Sequence, residues 1–158
     1  MVLPVLLSVV LALPVGTIEG SIAPPKSIQI TKPVQVVVFT GEYVNLYLAE
    51  VQKRIDSYWE EFRGLFIQDK EAFLQFRERA QRGALDKIVE RMRSDDPRNI
   101  SKFVHTTTNN TFEFQGVPKG ECKIVAVVTS GNLEYVWSDT VILTDEAPPS
   151  VVLKPTTP

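Results

Sequence analysis

The chain holds one cysteine and one histidine among its 158 residues. One cysteine excludes an internal disulfide framework and a cysteine-based metal cluster. One histidine excludes a multi-histidine zinc site and leaves little room for a Ser-His-Asp triad. Excess charge of either sign is missing too: 17 Lys and Arg against 19 Asp and Glu give a net charge of −2. That balance argues against a nucleic-acid binder, which is usually basic overall or carries a basic stripe. Gly-rich phosphate loops, metal-ligand spacings and nucleophile elbows do not occur. What remains is ordinary globular composition, 44% hydrophobic and 23% charged. It suits one domain, or a domain with an insertion.

No apolar run is long enough to cross a bilayer. The longest, Val2 to Pro14, has only Ser8 as a polar member, and its roughly 13 residues fall short of the about 20 a spanning helix needs. Residues 1–15 instead look like a secretory signal, with a small-residue cleavage site after Ala12. No Lys or Arg precedes the run. A buried first strand or a truncated membrane anchor therefore stays open, although Pro4 and Pro14 count against a central strand. No cysteine follows to carry a lipoprotein anchor. The expected location is secreted or periplasmic, in the cell envelope, with membrane contact only through this segment.

Beyond it the chain divides into three. From Gly16 to Thr40 the pattern is strand-like: Ile18, Gly20 and Ile22 alternate with Thr17, Glu19 and Ser21, and Val34, Val36 and Val38 with Gln35 and Val37. The second of these strands is apolar on both faces near its end, at Phe39, so something must cover both. From Glu42 to Asp96 there is no proline, and 22 of the chain's 36 charged residues fall here. Val44, Tyr47, Leu48, Val51, Ile55, Tyr58, Trp59, Phe62 and Phe66 recur at three- and four-residue steps, as on one face of a helix. Asp69 is an N-cap candidate for a second helix through Phe73, Phe76, Ala80, Ala84, Ile88 and Met92, stopped by Asp95-Asp96-Pro97. Two helices of about 30–37 Å would form an antiparallel hairpin. From Ile100 strands return: Phe103–Thr107, Phe112–Phe114, Cys122–Val128, Tyr135–Leu143 with an interruption near Ser138-Asp139, and Val151–Leu153. Seven short strands separated by turns predict a β-sandwich.

Three sequence stretches carry a resemblance, one of them the second strand Val34-Gln35-Val36-Val37-Val38, entered through Lys32-Pro33. Gly16-Thr17-Ile18-Glu19-Gly20-Ser21-Ile22 is similar to the G-T-V-x-G-x-V opening of carboxypeptidase regulatory-like domains. Thr106 to Ile124, with Thr111-Phe112-Glu113-Phe114, Gly116-Val117-Pro118-Lys119-Gly120 and Cys122-Lys123-Ile124, resembles that family's T-x-x-x-G-x-F-x-F-x-x-V-P-x-G-x-Y-x-L run. Asn110 stands where the family has a turn glycine, which asparagine replaces by tolerating positive φ. Cys122 stands where an aromatic is usual, so another residue, such as Trp59 or Phe62, is expected to fill the core beneath it. The resemblance implies a seven-stranded, prealbumin-like antiparallel β-sandwich over 16–155; the long two-helix hairpin (42–96), inserted between strands 2 and 3, lies outside the resemblance and makes the chain α+β, with a tail at 156–158. The resemblance also implies a non-catalytic accessory or interaction module. The related hydroxyisourate hydrolases need several histidines, which this chain lacks.

The remaining chemistry-bearing residues read as structural. Cys122 falls in phase with Ile124 and Ala126, on the core face, and His105 sits in a threonine-rich strand. Glu60 and Glu61 diverge by about 100° on a helix, and Asp95-Asp96 is a helix stop. Asn99-Ile100-Ser101 and Asn109-Asn110-Thr111 match the glycosylation pattern but are discounted because the resemblance leans bacterial. No cofactor or metal is expected. The candidate interaction surface is aromatic: Tyr58, Trp59, Phe62 and Phe66 near the hairpin tip, and Tyr135 with Trp137 on one face of a later strand. The tip aromatics are either the hairpin's internal seam or a docking surface for a protein partner or a second copy. In the first case, removing Glu42–Asp96 unfolds the sandwich; in the second it leaves a folded monomer. Tyr135 and Trp137 offer the alternative, a carbohydrate- or small-ligand-binding module.

Overall fold

The structure, a computed structural model, describes residues 14–26 and 29–155 and, of Phe66, the backbone alone. Of the signal-like segment 1–15, residues 1–13 lie outside the described residues, as does the tail 156–158, while Val15 already opens the first strand. The chain is α+β, with seven strands in two sheets and two long helices. One sheet has the order β4-β1-β7, from β4 (Thr111–Pro118), β1 (Val15–Ile22) and β7 (Ser150–Leu153). The other has the order β3-β2-β5-β6, from β3 (Val104–Thr107), β2 (Val34–Thr40), β5 (Gly120–Ser130) and β6 (Leu133–Leu143). Helices α1 (Glu42–Gln68) and α2 (Lys70–Asp95) follow β2 and precede β3 in the chain.

Two apolar cores share the four-stranded sheet. Between the sheets, Ile18 and Ile22 meet Val34, Val36, Val38, Phe112, Phe114, Cys122, Ile124, Ala126 and Trp137, all buried. On the sheet's other face, Val37, Phe39, Val125, Val127 and Val136 are covered by Val44 and Tyr47 of α1 and by Ala84, Leu85, Ile88, Val89 and Met92 of α2. Alternation along β2 therefore assigns even-numbered valines to one core and Val37 and Phe39 to the other. The cover that β2 required on both faces is the base of the helix pair. Phe39 stacks on Tyr47 with ring centroids 4.7 Å apart.

Three details differ from the sequence reading. The sandwich is not wholly antiparallel: β1 and β7 run parallel, with Glu19 opposite Ser150 and Ile22 opposite Leu153. The reason lies in the crossover. Strand β6 ends at Leu143, whose side chain packs at Gly16 beside the start of β1, so β7 sets out from the same end as β1 and in the same direction. Strand β6 is not interrupted at Ser138-Asp139, which pair with Val125 and Ile124 of β5. Trp59 and Phe62 do not fill the core beneath Cys122, because the helices cover the opposite face of that sheet; Val117 and Leu143 belong to the core that holds Cys122.

Asp69 is the N-cap of α2, its Oδ1 accepting from the Ala72 amide at 3.1 Å. Asn110 takes φ 61° in the β3–β4 turn, the backbone that glycine would otherwise supply.

Candidate functional site

The helix pair is fastened to the sandwich at its base and reaches beyond it. Contacts between helices fall at Tyr43 with Asp95, Glu50 with Lys87, Tyr58 with Phe76 and Trp59 with Phe73, so the two run antiparallel from base to tip. Glu50 carries the middle of this ladder, bound by Lys87 at 3.1 Å and Arg54 at 3.0 Å. Those two cations hold its carboxyl below the usual range, the Lys87 hydrogen bond contributing most. On the sandwich side, Arg82 of α2 donates to Thr129 Oγ1 at 3.2 Å and Glu134 Oε2 at 3.3 Å. Nearer the tip, Gln75 Oε1 accepts from the Glu134 amide and Arg79 reaches the Asn132 carbonyl. These are the outermost hydrogen bonds from α2 to the β5–β6 turn among the described residues. From Gln75, the outermost of these anchors, α2 runs six residues further to Asp69, about 9 Å at 1.5 Å per residue.

At the base, the Tyr43 hydroxyl donates to Asp95 Oδ2 at 2.6 Å. That bond, with burial and the Asp95 charge behind it, pushes the Tyr43 hydroxyl up to about 12. A tyrosine raised on folding contributes stability that is complete below its unfolded value of about 10 and is lost as pH rises through its folded value. Denaturation midpoints of the wild type should fall between about pH 10 and pH 12, and Tyr43→Phe should remove that part of the decline. Equal slopes in both proteins would show that the bond carries no linkage.

The aromatics of the outer segment touch one another and water at once. Tyr58 lies against Phe62 at 5.9 Å and against Phe76 at 4.7 Å, and Trp59 meets Phe73 edge-on at 5.7 Å. Yet Tyr58 is 47% exposed, Trp59 and Phe62 37% each, and Leu65 56%. Two packed helices bury only the seam between them; their remaining apolar surface needs a third layer, which the sheet supplies at the base but not here. The Phe66 side chain lies outside the described residues. The aromatic spacing thus serves as a seam and leaves an apolar surface as well.

Trp137 does not belong to any surface. It shares a face with Tyr135, as the alternation requires, but that face is the inter-sheet core. Trp137 is fully buried, and its Nε1 donates to the Ala23 carbonyl at 2.8 Å. Tyr135 is half-buried against the same core. The aromatic pair suggested for carbohydrate binding therefore cannot stack on a sugar. Period alone gave the shared face without saying that a second sheet covers it.

The isolated chemical groups have structural settings. The Cys122 thiol is buried, and burial, with help from Glu121, pushes it up to about 11, so it stays protonated and unreactive. His105 points inward at the open edge of the sandwich, opposite Val36 on β2. It stacks on Phe114 at 4.3 Å, with Nε2 3.1 Å from the Ser101 carbonyl. An open, polar trough of about 910 Å³ runs beside it, lined by Glu19, Thr107, Asn109, Thr111 and Glu113. Glu60 and Glu61 are exposed, while Asp96 accepts from Asn99 Nδ2 at the end of α2. Among the described residues no three His, Cys, Asp or Glu side chains gather as metal ligands, and no helix is long and apolar enough to cross a membrane. Comparison with known proteins finds no family model, no curated protein and no solved structure that matches this chain.

Proposed function

We propose that this chain is a non-catalytic, exported interaction module of the cell envelope: a prealbumin-like sandwich into which a helical hairpin is inserted between strands 2 and 3, with the outer part of the hairpin as its working surface. One observation carries this reading. Tyr58, Trp59, Phe62 and Leu65 stay between 37% and 56% exposed on a helical arm that is anchored at its base. Large apolar surface left open on an ordered element marks an association site more often than it marks a packing fault.

The test separates base from tip. Removing all of Glu42–Asp96 uncovers Val37, Phe39, Val125, Val127 and Val136, and the product should aggregate. Replacing only 58–73 with a short flexible turn should keep the circular dichroism of the sheets and a cooperative melt. Cross-linking in solution and in envelope extract should then join the intact chain, and not the shortened one, to a neighbour. Identical cross-links from both would refute the reading.

A further inference from the structure

The two sheets are unequal, and the difference leaves a strand-sized opening. Three strands cover four. Strands β1 and β7 lie against β6, and β4 lies against β2 and β3, so no strand continues the smaller sheet past β4. The trough of about 910 Å³ beside His105 occupies that place. Both edge strands line it, β3 with His105, Thr106 and Thr107, β4 with Thr111, Phe112 and Glu113.

Both edges present free backbone. The Ile22 amide donates to the Asn110 carbonyl at 2.8 Å, and Gly20 pairs with Phe112, Glu19 with Glu113. Alternation therefore turns the N–H and C=O of Thr111 and Glu113 away from β1. By the same rule, the Val38 amide bonded to the Phe103 carbonyl turns those of Val104 and Thr106 away from β2. Asn109 Oδ1 takes the Thr111 amide at 3.2 Å. The Glu113 N–H and C=O have no protein partner among the described residues.

The charges beside this edge state what kind of strand it would take. Glu19 and Glu113 are exposed and directly opposite one another on the outer face. Neither forms an ion pair among the described residues, and like charges so placed are unfavourable. Gln115 donates to Glu113 without adding charge. Lys102, in the adjoining hollow, forms no ion pair either. A second copy pairing edge to edge about Glu113 would extend the row with two more carboxylates.

We propose that this edge takes an extended basic peptide as the fourth strand of its sheet, antiparallel to β4, with a Lys or Arg opposite Glu113. Main-chain bonds to Glu113 supply the affinity, and the cation that closes the row of carboxylates supplies the selection. The residues flanking that cation turn inward over His105 and Thr107, so small polar side chains suit them. The register shift between Phe114 and Val117 ends the regular edge. This surface is on the sandwich and is independent of the arm.

The probe is the acetylated, amidated peptide Ser-Thr-Thr-Lys-Thr-Thr-Ser, titrated into the isotope-labelled full chain. It should bind with a dissociation constant on the order of 100 µM. Amide exchange should slow at Glu113 and stay unchanged at Phe112, which is already bonded to β1. Glutamate in place of the peptide's lysine should weaken binding about fivefold. Methylating the lysine's backbone nitrogen, which faces β4, should weaken it about tenfold. Methylating the next threonine's nitrogen, which faces solvent, should change it less than about twofold. In the chain, Glu113→Lys should reverse the preference toward the glutamate peptide. No binding up to about 1 mM, equal losses from the two methylations, or an unchanged preference in Glu113→Lys overturns the proposal. So does protection of Glu113 that rises with protein concentration alone, which gives the edge to a second copy. Protection by soluble dextran in place of the peptide gives the trough to sugar and overturns it as well.

Discussion

Trp137→Ala is expected to cost about 4 kcal/mol of folding stability in urea titration, within the range for deleting a buried tryptophan. Its side chain is fully buried between the sheets, and its Nε1 bond to the Ala23 carbonyl ties the chain after β1 to β6. Trp137→Phe keeps much of the volume and loses the donor, so it should cost about 1–3 kcal/mol, the penalty of a carbonyl left unsatisfied. The chain has two tryptophans, which makes a spectroscopic check direct. Acrylamide should quench Trp59 readily and Trp137 hardly at all, with each assigned by the phenylalanine variant of the other. Soluble glycans should leave the Trp137 emission unchanged. A cost under about 1 kcal/mol for Trp137→Ala, or ready quenching of Trp137, would place this residue outside the core.

The second large effect is at Gly20. A Cβ there would stand 2.3 Å from Phe112 Cζ and 2.6 Å from the Val151 carbonyl oxygen. The phenylalanine ring can shift at a cost in packing, but the carbonyl belongs to the backbone of β7, which pairs with β1 at that residue. Gly20→Ala should therefore cost about 3 kcal/mol and speed amide exchange in Val151–Leu153 ahead of the four-stranded sheet. Gly64→Ala provides the contrast. It sits within α1 with nothing within 4 Å of its would-be Cβ, so removing a mid-helix glycine should stabilise by about 0.5–1 kcal/mol. Equal effects at the two sites would mean that β7 does not pack as closely on β1 as described.

The resemblance and the geometry carry different parts of the reading. The proposed accessory role rests on the resemblance alone, carried chiefly by the Gly16–Ile22 and Thr106–Ile124 motifs, whereas Gly20 has a structural reason of its own: a neighbouring strand occupies the space of the Cβ. The proposed association surface comes from neither motif. It depends on how far α1 and α2 extend past the β5–β6 turn, where Gln75 and Arg79 make their bonds.

What the sequence by itself determined is local or periodic. Alternation placed Val34, Val36 and Val38 on one face of β2 and Val37 with Phe39 on the other, because strand side chains have a period of two whatever surrounds them. Three- and four-residue steps marked both helices, and Asp69 and Asn110 marked their turns, because caps and positive φ depend on one residue's own chemistry. Which face meets which is a different matter, since a period is blind to what lies across from it. Only the tertiary structure decided that the face of Tyr135 and Trp137 looks into the core, that β7 joins β1 in parallel, and that the helix base closes a second core while Trp59 and Phe62 run past the sheet. Each of these is a pairing between segments distant in the chain, fixed by the competition of all apolar faces for cover, and no single stretch of residues encodes it.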